Sequence, residues 1–402
     1  MLGMVRDNTL YFRIDDHNRA TFKEAETFPP LNYKARQPDR SRLLARAGAA
    51  VRRTRCVCHL GRSGAGGSTS SCGEARTHRV KAKIKTSTKG PIAMKFGIQN
   101  SSWRESPHPA ESFQGVIAKA QWAEEHGFIW FSVLGHMIQI PRVGAPDDPF
   151  LEGWTVLSAL AAVTSRIRLA TLCTAVGYRN PAHLAKIAAT VDVISRGRLT
   201  LGIGAGFFED EYRQYGWEFP PRPATRIRQL EEAVELIVKM WTEPRTTFHG
   251  RYFHAEHAIL EPKPIQKPRP PVLIAGSGEQ MTLRAVARLA DACNFVDADV
   301  AEVRHKLGVL RGHCEAVGRN YDAIEKTLVR AWLLARNEAA VAAKRERFPN
   351  RADSRAVVAT VSEAIDLIGQ YQDAGIHLLI SGDRNDAESR ELLVSDVMPH
   401  FT

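Results

Sequence analysis

Six cysteines in 402 residues are too few for a disulfide framework, and a reducing, cytoplasmic setting fits that scarcity. No apolar run approaches the roughly 18 residues of a membrane-spanning helix, so the chain reads as soluble. The extreme N-terminus lacks the continuous apolar stretch of a secretory signal. Also missing are an H-E-x-x-H pair, a G-x-S-x-G elbow, paired cysteines at zinc spacing and a phosphate-binding-loop lysine. Metalloprotease, α/β-hydrolase, zinc-module and P-loop readings therefore have no support. Cys56, Cys58, His59 and Cys72 follow no standard zinc spacing, and no metal is expected.

A basic excess is missing from most of the chain as well. The formal charge is +11, yet residues 1–93 carry 19 Lys and Arg against 7 Asp and Glu, and 94–402 carry 36 against 37. A nucleic-acid partner is thus not expected of the body. The arm shows no sustained periodicity and is Gly/Ser-rich from Gly61 to Gly73. Asp7, Asp15, Asp16, Glu24 and Glu26 argue against a transit peptide, which is poor in acids. A phosphate-binding tail would predict salt-dependent binding that truncation removes. Met94 sits directly before the first strand, as an initiator would, so residues 1–93 are expected to be a low-order upstream extension and 94–402 the functional domain.

From Lys95 onward, short aliphatic runs alternate with amphipathic helices, the pattern of a parallel sheet with crossover helices. Strands are expected at Lys95–Gln99, Trp130–Leu134, Ile167–Cys173, Arg198–Gly204, Pro271–Ala275, Ala292–Val296, Thr327–Ala335 and Ile376–Ile380. Helices are expected at Ala110–His126, Trp154–Thr164, Pro181–Ser195, Thr225–Trp241, Glu279–Leu289, Glu302–Val317, Ser362–Ala374 and Asp386–Val397. Eight such units fit a (β/α)8 barrel with insertions; a doubly wound open sheet is the alternative. The stretch Thr242–Pro270 reads as a surface excursion holding a strand or hairpin at Thr247–Phe253.

A barrel carries its chemistry at the C-terminal ends of its strands. His136 lies there after the second strand and could move a proton near neutral pH, although a lone loop histidine is more often inert. Gly202–Glu211 reads either as backbone approaching a flat ligand or as close strand–helix packing, with Glu209, Asp210 and Glu211 complementing a helix N-terminus. Gly276, Ser277 and Gly278 follow an apolar strand and open a helix, a place that favours phosphate; a tight turn is the alternative. Arg179 could hold an anion or cover the rim. Asn180 is the N-cap before Pro181, and Cys173 reads as a small buried hydrophobe.

Several ordered segments together resemble the luciferase-like monooxygenase superfamily, in particular its coenzyme F420-dependent oxidoreductases. They are M-K-F-G-I-Q from Met94, G-F-I-W-F-S-V-L-G-H from Gly127, R-I-R-L-A-T-L-C-T from Arg166 and Y-R-N-P-A-H-L-A-K from Tyr178. D-V-I-S-R-G-R-L-T-L-G-I-G-A-G-F-F-E-D-E-Y from Asp192, P-P-V-L-I-A-G-S-G-E from Pro270 and L-A-D-A-C-N-F from Leu289 complete the set. The resemblance implies a TIM barrel with F420 or, alternatively, FMN across its mouth. It implies hydride transfer to or from a small organic substrate, or oxygen chemistry with a separate flavin reductase. His136 would be the catalytic acid/base. Thr171, Cys173, Thr174, Tyr178, Arg179, Gly204, Ala205, Gly206, Gly276, Ser277 and Gly278 would surround the cofactor. A homodimer is the common assembly. One departure stands out: the aspartate and the aromatic that usually flank the histidine are Gly135 and Met137 here, which predicts an imidazole freer of carboxylate support. A cofactor carrier without turnover is the reading that follows from that loss.

Overall fold

The computed structural model describes residues 4–6, 9–11, 93–104, 106, 108–348, 356–382 and 386–401. Most of the expectation for residues 1–93 lies outside them. Within it, Met4–Arg6 and Thr9–Tyr11 form an antiparallel pair in register Met4 to Tyr11.

The body is a closed barrel of eight parallel strands. They are β1 (Lys95–Asn100), β2 (Trp130–Val133), β3 (Arg168–Thr171), β4 (Leu199–Gly204), β5 (Val272–Ala275), β6 (Ala292–Val296), β7 (Glu325–Ala335) and β8 (Leu378–Gly382). Each pairs with the next, and β8 closes onto β1 through Leu378–Lys95 to Gly382–Gln99. All eight expected strands are present, and the open-sheet alternative is excluded by that closure. No helix among the described residues is long and apolar enough to cross a membrane.

The local chemistry accounts for the helix ends. Asn180 Oδ1 accepts from the N–H groups of Ala182 at 2.9 Å and His183 at 3.4 Å, with Pro181 opening the helix Pro181–Ile194. Gly375 ends Val361–Ala374 at φ 102°, a conformation that favours glycine. Inside the barrel, Trp130, Ala170, Leu172, Leu273, Ala292, Leu378 and Ile380 form an apolar layer. Outside it, strand faces and helices share one continuous core.

An ion network closes the N-terminal end beneath Trp130. Arg168 reaches Glu325 through two bonds of 2.9 and 3.0 Å and lies over the Trp130 ring at 5.3 Å. Burial pushes the Glu325 carboxyl up, but the Arg168 hydrogen bond and charge, with Lys95 and His377, leave it below its ordinary value. A carboxyl depressed by folding stabilises above its ordinary titration range and loses that contribution as pH falls through the depressed value. Glu325→Gln is therefore expected to cost about 1–2 kcal/mol at pH 7, a difference that shrinks below about pH 4. Urea unfolding of both proteins at pH 7 and pH 3.5 checks this; a pH-independent difference would rule out the charge as its source.

Three departures from the expected elements matter for the mouth. The helix after β5 starts at Thr282, not Glu279, so Gly276–Met281 is a longer loop. After β7 the chain adds an unanticipated helix, Glu338–Arg347, and a strand, Val357–Thr360, that pairs in parallel with Trp332–Ala335 beyond the barrel. The last helix stops at Leu392 and continues as a wider turn, Leu393–Val397. The excursion before β5 does contain a hairpin, Thr246–His249 with His254–Ala258.

Candidate active site

The ends of the strands surround a cavity whose walls differ in character. Leu134, Ile140, Val143, Leu172, Cys173, Phe207 and Ala275 supply apolar surface. Gln99, His136, Arg142, Asn294, Asp297 and Arg330 supply the polar side. The loop after β2 crosses the mouth, and Arg142 on it pairs with Asp297 after β6 at 3.1 Å.

His136 is buried, and its Nδ1 lies 2.8 Å from Glu211 Oε2. Glu211 belongs to a short helix, Glu209–Gln214, with the three consecutive acids in its first turn as expected. Its carboxylate is fully enclosed and gathers further donors: the N–H of Met137, the N–H of Ile138 at 3.2 Å and the Tyr178 hydroxyl. The expectation of an imidazole without carboxylate support is thereby corrected; Glu211 does stand in the first turn of a helix, and its burial beside His136 is the part not foreseen. Glu209 and Asp210 do face solvent; Glu211 and Tyr212 turn inward. No local pattern separates Glu211 from its exposed neighbours Glu209 and Asp210, which share the same aromatic surroundings in sequence.

The electrostatics follow from this packing. Burial pushes the Glu211 carboxyl up, but hydrogen bonding to His136, the His136 charge and the bonds from Met137 and Tyr178 outweigh it, leaving the carboxyl below its ordinary value. Burial and the Glu211 charge push the Tyr178 phenol up, so it stays a donor throughout the working range. With Nδ1 committed to a carboxylate, the imidazole keeps Nε2 as its remaining site for a proton. Burial also pushes the Cys173 thiol up to about 12, so it lines the cavity as a neutral group.

Gly135 has a steric reason. A Cβ there would lie 2.7 Å from Thr174 Cα and 2.8 Å from the Cys173 carbonyl oxygen. No side chain fits between the β2 loop and the β3 turn, so the missing aspartate is the condition for this close approach.

The remaining candidates separate into two groups. Cys173 lines the cavity and Gly204 backs it, since a Cβ on Gly204 would meet Cys173 Sγ at 2.9 Å. Gly276 takes φ 124° at the end of β5, and Ser277 is half-buried beside exposed Gly278. Gly206 turns at φ 80° against Tyr212, and its carbonyl accepts from Arg226 Nε at 3.1 Å; Ala205 packs on the core. Of the expected cofactor residues Cys173 alone lines this cavity; Gly204, Ala205, Gly206, Gly276, Ser277 and Gly278 lie outside its lining, as do Thr171, Thr174, Tyr178 and Arg179. The Thr171 hydroxyl donates to the Gly202 carbonyl at 3.0 Å, and Arg179 Nη2 sits 2.5 Å from Glu152, itself the N-cap of Gly153–Val163. Thr174 lies 3.5 Å from Arg179 Nη1. No cluster of metal-ligating side chains occurs among the described residues.

Residues 94–377 match the family model described as luciferase-like monooxygenase. An uncharacterized protein of Mycobacterium tuberculosis is 34% identical over 216 residues, which span 50% of this chain and 74% of that protein. Pyrimidine monooxygenase RutA of Bradyrhizobium sp. is 32% identical over 206 residues, 50% of this chain and 55% of that protein. The coenzyme F420-dependent tetrahydromethanopterin reductase of Methanopyrus kandleri superposes with a TM-score of 0.62 over 77% of this chain and 100% of its own, at 19% identity. At that identity the superposition speaks for the barrel. The family match covers the first seven strands, the β2 loop with His136 and the helix with Glu211, and on it the chain belongs to the luciferase-like monooxygenase family.

Proposed function

We propose that the chain is an oxidoreductase that moves a hydride between coenzyme F420 and a small organic substrate, with residues 94–402 as the catalytic domain. The observation that carries this reading is the buried His136 at the cavity wall, locked through Nδ1 by Glu211 and left with one nitrogen for a proton. Hydride transfer to a carbonyl, or from an alcohol, needs a proton delivered or removed at the same oxygen. His136 Nε2 is the group suited to that task.

The mouth fits a flat ring. Leu134, Leu172, Cys173 and Ala275 offer apolar contact, Asn294 Nδ2 is a buried donor without a partner, and Gly276 leaves its loop open to a phosphorylated side chain. When bound, F420 would supply or accept the hydride. The protein's own part is to orient the imidazole, hold a proton at Nε2 and exclude water beneath the β2 loop. The F420-dependent reductase of like fold supports the choice of cofactor. A second reading, an FMN-dependent monooxygenase served by a separate reductase, is favoured by the likeness to a pyrimidine monooxygenase.

Fluorescence titration of the full chain with F420 and with FMN, side by side, separates the two. Preferential F420 binding is expected; preferential FMN binding moves the assignment to oxygen chemistry, and binding of neither removes both. Ser277→Asp should weaken the bound cofactor about tenfold or more by setting a carboxylate near its phosphate. Unchanged affinity would place the phosphate elsewhere.

A further inference from the structure

The floor of the cavity carries a polar group that nothing in the ligand-free protein satisfies. Asn294 on β6 is fully buried, lines the cavity and has no partner for Nδ2. Its Oδ1 is held 2.8 Å from the Thr327 hydroxyl, which also lies 2.9 Å from the Cys293 carbonyl. Its backbone carbonyl accepts from Gly276 N–H at 3.3 Å, so the residue is joined to the β5 loop. The other amide of the floor is already engaged. Gln99 Nε2 donates to the Leu172 carbonyl at 3.3 Å, and its Oε1 accepts from Ser132. Arg142 is paired with Asp297.

A buried N–H2 without an acceptor costs free energy in the empty protein. The donor sits beside the apolar contacts of Leu172 and Ala275. What suits both at once is a flat ring bearing a carbonyl, with its face on the apolar wall and its oxygen at Nδ2.

We infer that Asn294 is a binding residue whose amide donates to a ring carbonyl of the molecule held in this cavity, a cyclic imide or amide. That chemistry has two sources, the carbonyl-bearing ring of a flavin or deazaflavin and a cyclic imide substrate. The inference rests on the function proposed above, while its test does not require turnover.

Wild type, Asn294→Leu and Asn294→Asp are each titrated with F420, FMN and uracil by calorimetry, and their ligand-free melting temperatures are compared. Leucine removes the orphaned donor, and Thr327 keeps the Cys293 carbonyl, so an unchanged or higher melting temperature is expected without ligand. Aspartate keeps the shape and, when ionised, has no donor, so the titrations are run at about pH 9, where ionisation is favoured against burial. Both variants should bind at least one of the three probes about tenfold more weakly than wild type. Loss for F420 or FMN assigns the carbonyl to the cofactor; loss for uracil alone assigns it to a substrate. Uracil bound in wild type and lost in both variants, with neither cofactor binding, upholds Asn294 and overturns the cofactor reading. Equal affinities across the three proteins, an Asn294→Asp variant that binds as wild type does, or no binding of any probe overturns the inference.

Discussion

Replacement of His136 by alanine is expected to lower turnover by about 10²–10⁴-fold while changing cofactor affinity by less than about threefold. The asymmetry comes from where the ring is held. Glu211 retains the Met137 and Ile138 N–H groups and the Tyr178 hydroxyl when the imidazole is removed. The β2 loop therefore keeps its position and the apolar wall is left as it was. What disappears is a buried imidazole that Nδ1 anchoring leaves with a free nitrogen, the group proposed above to carry the proton. Stopped-flow hydride transfer at saturating cofactor measures the effect. Turnover equal to wild type would remove the proton-transfer role. Lost cofactor affinity with intact turnover would make His136 a binding residue instead.

Glu211→Ala is expected to destabilise the fold by about 3–5 kcal/mol, the scale seen when one partner of a buried charged pair is deleted. Its removal leaves His136 Nδ1, the N–H groups of Met137 and Ile138 and the Tyr178 hydroxyl without their acceptor in an enclosed place. Water cannot readily replace a carboxylate that is fully buried. Guanidinium unfolding at pH 7 provides the measurement. Glu209→Ala, an exposed acid on the same short helix, should stay within about 0.5 kcal/mol of wild type. A loss below about 1 kcal/mol for Glu211→Ala would mean that this network does not hold the loop.

The contrast between those two acids shows where sequence reading stops. The barrel strands are short, aliphatic and regularly spaced, and that periodicity marks them; Ala292–Val296 agrees end to end. The helix Glu338–Arg347 buries only Val341 and Lys344, so it has no apolar stripe to detect, and a four-residue strand such as Val357–Thr360 carries little pattern. His136 was legible because barrels place chemistry after a strand. Glu211 was not, because three consecutive acids at a helix start look alike until the chain folds and turns one inward. Gly135 was read as a lost aspartate; the close approach that forbids a side chain depends on Cys173 and Thr174, which are remote in sequence. Asn294 within A-C-N-F likewise gives no sign that its amide goes unpaired.

The outer end of β7 has a consequence for how this mouth can be altered. Trp332–Ala335 project past the barrel and take Val357–Thr360 as a neighbour, which leads directly into the capped helix Val361–Ala374. The barrel's own hydrogen-bond register ends before that point, at the Ala331–Gly382 pairing. The added strand thus sits on the rim outside the barrel register, while the helix after it belongs to the barrel and packs on the shared core. Lys344 on the helix before that strand pairs with Asp386 in a buried place, so a change in that helix reaches the body through this ion pair and leaves the pairing of the eight barrel strands as it is.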